Sequence, residues 1–326
     1  MDDLLIIRLS SLGDIIHTLP AFAALRKRFP ESRIAWVVSG KGKEILDFVP
    51  GIDDIVVVGS LGWRTRIRKK NQVAIDFQGL IKSGLIAQMS QSRRRLGFSR
   101  SNLKEPVAAF FYSDRLPPVS ESDHVILKNL RLLRLLGIDD ERFEFPIDLT
   151  EDLRGRVRAK VGPLFTRGKP AIFNVGAAWP TKRWPTENWI SVLKSFKNEA
   201  VTPLLLWGTP EEKAAADAIG KATGVAVAPF LSISELLALV QSAAFVVSGD
   251  TFALQAACAL DVPVVALFGP TDPKRNGPFR SRDLVAYHEL ECSRCYRRSC
   301  DTTDCLKLVT PDEVTLFIRR VMNDHG

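Results

Sequence analysis

A carboxylate placed just past the end of a strand is well set to take a proton, and Asp14 has that position. It closes the segment Ser10-Ser11-Leu12-Gly13-Asp14, which follows an apolar run over residues 4–9. The segment is neither a G-x-G-x-x-G dinucleotide fingerprint nor a G-x-x-x-x-G-K-[ST] phosphate loop. Its one glycine permits a tight turn or a close ligand approach. Asp14 can serve as a general base or merely cap the helix that follows. His17, one turn on, reads as a packing or positioning residue.

Two further loops could handle an anion. Lys182 and Arg183 lie in a long loop after an expected strand at 171–175, where Lys182 suits a point-charge contact to a diphosphate. Trp184 and Pro185 read as the packing that fixes this loop. Ser248-Gly249-Asp250-Thr251 ends another expected strand and opens a helix, whose unpaired N–H groups and positive dipole end favour phosphate. Asp250 could equally be only a helix cap. In Trp207-Gly208-Thr209-Pro210-Glu211-Glu212 the carboxylates could bind ribose hydroxyls or simply favour the helix start. The turn at residues 268–273 reads as structural.

Two clusters stand out by composition. Cys292, Cys295, Cys300 and Cys305 fall as C-x2-C-x4-C-x4-C, with Cys258 apart. In a cytosolic chain this argues against ordinary disulfides. The spacing could hold a structural zinc or an iron–sulfur cluster, though it matches no standard finger, and reduced structural cysteines are the alternative. Arg64, Arg66, Arg68, Lys69 and Lys70 form a basic run beside Trp63, either a solvated face or an anionic-acceptor site.

These loops need a scaffold, and the pattern predicts one. The chain has 326 residues, 46% hydrophobic and 25% charged, which is globular and long enough for two domains. Strands at 34–38, 55–58 and 73–76 join the first, and helices are expected after Thr18 and over 79–89 and 125–136. A linker is expected at 148–169. A second alternating series of strands and helices then runs to a last helix opened by Thr310-Pro311-Asp312-Glu313. Alternation of this kind predicts doubly wound α/β domains, here 1–160 and 161–326, with a cleft between them and ligands beyond the carboxyl ends of the strands. The last helix could pack back on the first domain. No apolar run approaches the roughly 20 residues of a membrane span. Asp2 and Asp3 make a poor signal peptide, so a cytoplasmic location is expected. The net charge of +8 suits an anionic partner, but the basic run carries no nucleic-acid reading motif.

Together the loops resemble the ADP-heptose:lipopolysaccharide heptosyltransferases, glycosyltransferase family 9. The anchors are residues 10–20 (SSLGDIIHTLP), 76–83 (DFQGLIKS), 182–189 (KRWPTENW), 207–212 (WGTPEE) and 268–273 (FGPTDP), in family order over nearly the whole chain. The region of Trp63 and Arg64 and the segment Lys104-Glu105-Pro106 lean towards heptosyltransferase I. The resemblance implies a GT-B fold of two Rossmann-like domains and an inverting, metal-independent transfer with Asp14 as base. It implies that the first domain binds the acceptor and the second the nucleotide sugar. It implies donor contacts from Lys182, Leu206, Trp207, Gly208, Glu212, Leu231, Gly249, Asp250 and Thr251. For an anionic Kdo–lipid A acceptor it implies Ser11, Gly13, Arg64, Arg66, Lys69, Lys82 and Lys104, with peripheral contact at the inner membrane face.

Some positions depart from the family pattern. Phe252 and Gln255 stand where a glycine and a histidine are common, and Ala177 and Ala178 replace hydroxyl residues in some members. These departures keep open a different activated sugar, or a member that binds nucleotide or glycolipid without transfer.

Overall fold

The computed structural model describes residues 3–68, 72–165, 168–196, 200–280 and 282–323. The chain divides into two units, Met1–Asp148 and Leu149–Gly326.

The first unit opens with β1 (Asp3–Ile7), α1 (Leu12–Ile16), α2 (Leu19–Arg28), β2 (Ile34–Val38), α3 (Gly40–Leu46) and β3 (Asp54–Val57). It continues with α4 (Trp63–Arg66), β4 (Gln72–Asp76), α5 (Ile81–Met89), β5 (Arg94–Gly97), β6 (Asp114–Arg115) and α6 (Val125–Leu132). The strands are parallel in the order β3-β2-β1-β4-β5-β6. β2 and β4 are buried along their whole length, β2 as a continuous apolar strand covered by helices should be, and β4 with polar Gln72 and Asp76 buried at its ends. Thr18 precedes α2 at the cap position but makes no side-chain cap bond, its hydroxyl donating to the Asp14 carbonyl, and Pro20 sits in the first turn, where a missing N–H costs little.

The second unit runs α7 (Glu151–Val161), β7 (Lys169–Asn174), α8 (Thr186–Ser195), β8 (Val201–Leu206), α9 (Pro210–Thr223) and β9 (Ala226–Val227). Then follow α10 (Ile233–Ser242), β10 (Phe245–Gly249), α11 (Phe252–Ala259), β11 (Val264–Leu267), α12 (Pro273–Asn276), β12 (Leu284–Ala286), α13 (Asp304–Lys307) and α14 (Pro311–Asn323). Its sheet is again parallel, in the order β12-β11-β10-β7-β8-β9. Read from β7 outwards this repeats the topology of the first unit. In each, strand order reverses beside the first strand, so ligand crevices are expected past β1 and β4 and past β7 and β10.

Three expectations change. The segment 148–169, expected as a linker, carries α7, whose Leu153, Val157 and Val161 are buried and which packs against α10. The division therefore falls at Asp148, earlier than the boundary expected after residue 160. The last helix, α14, packs on its own unit against α8, β11 and β12, with Val314, Ile318 and Val321 in a core shared with Phe173 and Trp189. Its acidic start was legible, but not which sheet the helix would cover. Among the described residues no helix is long and apolar enough to cross a membrane.

Candidate active site

The segment expected as a loop after β1 folds into α1, a short helix with Ser11 as its cap and Asp14 as its third residue. The Ser11 backbone N–H and hydroxyl both donate to Asp14 Oδ2, at 3.0 and 2.9 Å. The carboxylate therefore does cap its helix, with one oxygen. The other, Oδ1, meets Arg8 Nη2 at 2.9 Å. Arg8 is a buried cation, whereas 37% of the Asp14 side chain stays open to solvent. Burial pushes the Asp14 carboxyl up, but the Arg8 charge, then His17 and the Ser11 bonds, outweigh it and hold the group below its ordinary value. An ionised, partly accessible carboxylate is what proton abstraction needs.

Arg8 was not singled out from sequence, yet a signal existed. It is a charged residue in an apolar strand end, and a buried charge requires a partner. Its second nitrogen, Nη1, donates to the Phe77 carbonyl. The loop after β4 braces this one further, because Gln78 Oε1 accepts the Leu9 and Ser10 N–H groups at 3.0 and 3.2 Å. Gln78 and Gly79 in turn donate backbone N–H to buried Asp76 Oδ1, and Tyr112 OH donates to Asp76 Oδ2 at 2.7 Å. Burial raises the Asp76 carboxyl against these bonds. The DFQG motif thus holds the Asp14 loop from its neighbouring strand. His17 is buried, with its ring edge-on to His124, which is the packing role expected of it.

Arg8→Met is expected to move the acid limb of kcat/KM to higher pH. Without Arg8 burial dominates and the carboxyl rises, so Asp14, if it takes the proton, is protonated at a pH where the native carboxylate is still charged. A pH–rate profile checks this, and an unmoved acid limb would remove Arg8 from the role.

In the second unit, Lys182 ends a tight turn over Pro180–Lys182 after β7. Its Nζ lies 2.6 Å from Asp250 Oδ2 and 4.3 Å from the centre of the Trp179 ring. Asn174, the last residue of β7, donates from Nδ2 to Ser248 Oγ at 3.0 Å and Thr251 Oγ1 at 3.1 Å. The ends of β7 and β10 are tied together there. Thr251 caps α11 by position, with no side-chain cap bond, so the helix start keeps unpaired N–H groups. Gly249 faces the Lys182 carbonyl, which an added Cβ would approach to 3.1 Å. Lys182, Gly249, Asp250 and Thr251 therefore do come together.

Gln255 has a local explanation, whereas nothing in the structure explains Phe252. Gln255 is buried and donates from Nε2 to the Asn276 carbonyl at 2.8 Å, joining α11 to α12. Phe252 is the half-buried first residue of α11.

At the next strand end, Glu212 Oε2 accepts the Gly208 and Thr209 N–H groups at 2.7 and 3.2 Å, closing a capping box with Thr209. The carboxylate is buried beside Gly176, where any Cβ would fall 2.3 Å from Glu212 Cδ. Leu206 is buried in the sheet, and Leu231 is half-buried. Trp207 donates from Nε1 to the Ala228 carbonyl at 2.7 Å and has Phe230 tilted against it at 5.8 Å. Phe230, 59% exposed, was missed in the sequence, because nothing local marked it as a surface aromatic.

The basic residues are less unified. Ser11 and Gly13 flank Asp14. Arg64 is exposed with its guanidinium over Trp63, while Arg66 pairs with Asp54 and the Ile55 carbonyl. Lys82 and Lys104 are exposed, and Lys69 lies outside the described residues. Among the described residues no ion pair links Arg64, Arg66, Lys82 or Lys104 to Asp14.

Of the two readings of the cysteine cluster, the bound metal finds no support. Among the described residues no group of three or more His, Cys, Asp or Glu side chains is arranged to hold an ion. Cys292, Cys295 and Cys300 are exposed, and Cys300 turns towards Thr302. Cys258 is buried in α11.

Comparison with known proteins fits these parts. The family model described as glycosyltransferase family 9 (heptosyltransferase) matches residues 63–305. Lipopolysaccharide heptosyltransferase 1 of Pseudomonas aeruginosa is 27% identical over 314 residues, covering 91% of this chain and 86% of that protein. The solved structure of E. coli heptosyltransferase WaaC with ADP is 24% identical, with a TM-score of 0.76 over 98% of this chain and 99% of that one. A glycosyl transferase family 9 structure from Veillonella parvula is 20% identical, with a TM-score of 0.83 over 99% of this chain and 97% of that one. At such identities the structural likeness speaks for the fold, which is GT-B. The chain belongs to glycosyltransferase family 9 and is a glycosyltransferase built from two Rossmann-like α/β units.

Proposed function

We propose that this enzyme transfers heptose from ADP-heptose to the Kdo or inner-core region of lipopolysaccharide, with inversion and without a metal, at the cytoplasmic face of the inner membrane. The reading draws on the name of the Pseudomonas relative and on the ADP held by the solved E. coli relative. The observation that carries it is Asp14, an ionised carboxylate braced by Arg8 and Ser11 yet open to solvent.

In this mechanism Asp14 takes the proton of the acceptor hydroxyl. That oxygen bonds to the anomeric carbon from the face opposite the leaving group. The bond from carbon to the diphosphate oxygen breaks, and its electron pair leaves with ADP. One carboxylate suffices for inversion, since no covalent intermediate forms. Lys182 and the N-terminus of α11 offset the charge growing on the diphosphate, where prearranged electrostatics contribute most. Glu212 with Gly208 would hold the ribose, while Trp207, Leu206 and Leu231 would bound the adenine. The acceptor side falls to Ser11, Gly13, Arg64, Arg66, Lys82 and Lys104.

The test is ADP release from ADP-heptose, with and without a Kdo–lipid A acceptor, and the mass of the glycolipid product. Acceptor-dependent release with addition of one heptose is expected. Turnover with another nucleotide sugar alone would overturn the donor. Tight ADP binding with no turnover across a donor panel would overturn transfer itself.

A further inference from the structure

Among the described residues eight large hydrophobic side chains are exposed, and four of them sit on two elements packed together. Ile81 and Leu85 are one turn apart on α5 and so share a face. Val107 and Phe110 are three apart on the tight turn Pro106–Phe111, where that spacing brings side chains into line. Gly84 lets the two elements touch, since an added Cβ there would fall 2.5 Å from the Phe111 ring. The Ile81 N–H also donates to Glu105 Oε2 at 2.7 Å. Phe110 is 74% exposed and Val107 51%, unusually open for such residues.

Cations border this patch. Lys82 follows Ile81, Lys104 precedes the turn, and Arg100 places its guanidinium 5.8 Å from the centre of the Phe110 ring. Arg100 and Arg115 line an open hollow with Ser99, Ser101, Pro106 and Pro118. Among the described residues none of these four cations is in an ion pair, whereas neighbouring Asp114 is taken by Arg94. Glu105, the acid within the patch, spends one oxygen on the Ile81 N–H.

We propose that this face docks on a bilayer surface containing anionic phospholipid. The apolar side chains would enter the boundary between headgroups and acyl chains, and the cations would meet lipid phosphates. Exposed phenylalanine, valine, leucine and isoleucine ringed by unpaired lysine and arginine complement such a surface, with the cationic stems lying along the apolar zone. A protein-binding core would instead be depleted in lysine. The inference deepens the reading above, in which the acceptor is a lipid-borne sugar.

The experiment uses the full chain and vesicles free of any sugar acceptor, either phosphatidylcholine alone or phosphatidylcholine with phosphatidylglycerol. Cosedimentation is expected only with the anionic vesicles. Val107→Ser with Phe110→Ser, and separately Arg100→Glu, should each lower vesicle partitioning about ten-fold. Turnover on a deacylated, water-soluble acceptor should stay at the native rate, which shows that both variants fold. Equal partitioning of native and variant proteins, or no preference for anionic vesicles, overturns the proposal. So does self-association that the variants abolish in the absence of vesicle binding, which would assign the face to a second copy. Anionic vesicle binding without turnover of any donor would support the docking face and count against heptosyl transfer.

Discussion

Asp14→Asn is expected to lower kcat about 10²–10⁴-fold while leaving ADP affinity unchanged. The amide matches the carboxylate in shape, and its oxygen can still accept from the Ser11 N–H and hydroxyl. What it cannot do is accept a proton at neutral pH. ADP affinity should hold, since Lys182, Asp250 and Thr251 belong to the other unit. The native carboxyl sits below its ordinary value, so it loses its charge at a lower pH than an ordinary aspartate. The same depression has a sign for stability. It contributes above the pKa of the unfolded group and is lost as pH falls through the lower folded value. Because the carboxylate is over a third exposed, its pair with Arg8 is discounted to about 1 kcal/mol. Single-turnover kinetics and calorimetry with ADP check both halves. Turnover in the Asn variant within ten-fold of native, about 1.4 kcal/mol of barrier, would remove Asp14 as base.

Lys182→Met is expected to lower kcat/KM for the donor about 10²–10³-fold, the scale for removing one prearranged charge stabiliser. It should also destabilise the protein, because Asp250 is left buried without its cation, at a cost of about 3–5 kcal/mol. The two effects can be separated. Adding Asp250→Asn to Lys182→Met removes the stranded charge, so the melting temperature should largely recover. Donor turnover should stay low if Lys182 holds the diphosphate as proposed, since that cation is still missing. Thermal melts alongside steady-state kinetics decide this. Recovery of both would mean that Lys182 acts only as a structural partner for Asp250.

The parts of the site that could be read from sequence were those with local grammar. A small-residue segment after an apolar run, a carboxylate at its end and a Ser-Gly-Asp-Thr break before a helix each have a meaning within a few residues. Helix-start rules anticipated Thr18 at the position before α2 and carboxylates that favour the start of α9, but not the capping box that Thr209 forms with Glu212. The segment 148–169 showed no clean period because α7 is highly charged, with only three buried residues, and it became a helix through its packing on α10. Arg8 and Gln78 were overlooked for a different reason. Their partners, Asp14 and the Leu9 and Ser10 N–H groups, meet them across neighbouring strands. The cysteine spacing does bring Cys292, Cys295, Cys300 and Cys305 to the lining of one pocket, but it does not fix ligand geometry, and among the described residues they form no group that could hold a metal ion.

By itself the sequence determined the alternation of strands and helices, the two-unit α/β architecture, the family, and the position of Asp14 just past the first strand. Those follow from periodicity, capping and short motifs, which are interactions within a few residues. Tertiary structure alone decided the identical strand order of the two sheets, which puts the Asp14 and Lys182 loops each at a point where that order reverses. It also decided that Arg8 would keep Asp14 charged and that Lys182 would meet Asp250. The same holds for the four apolar side chains brought to the surface by α5 and its neighbouring turn. Such pairings depend on which strands lie side by side, and the energy that selects them is spread over the whole core.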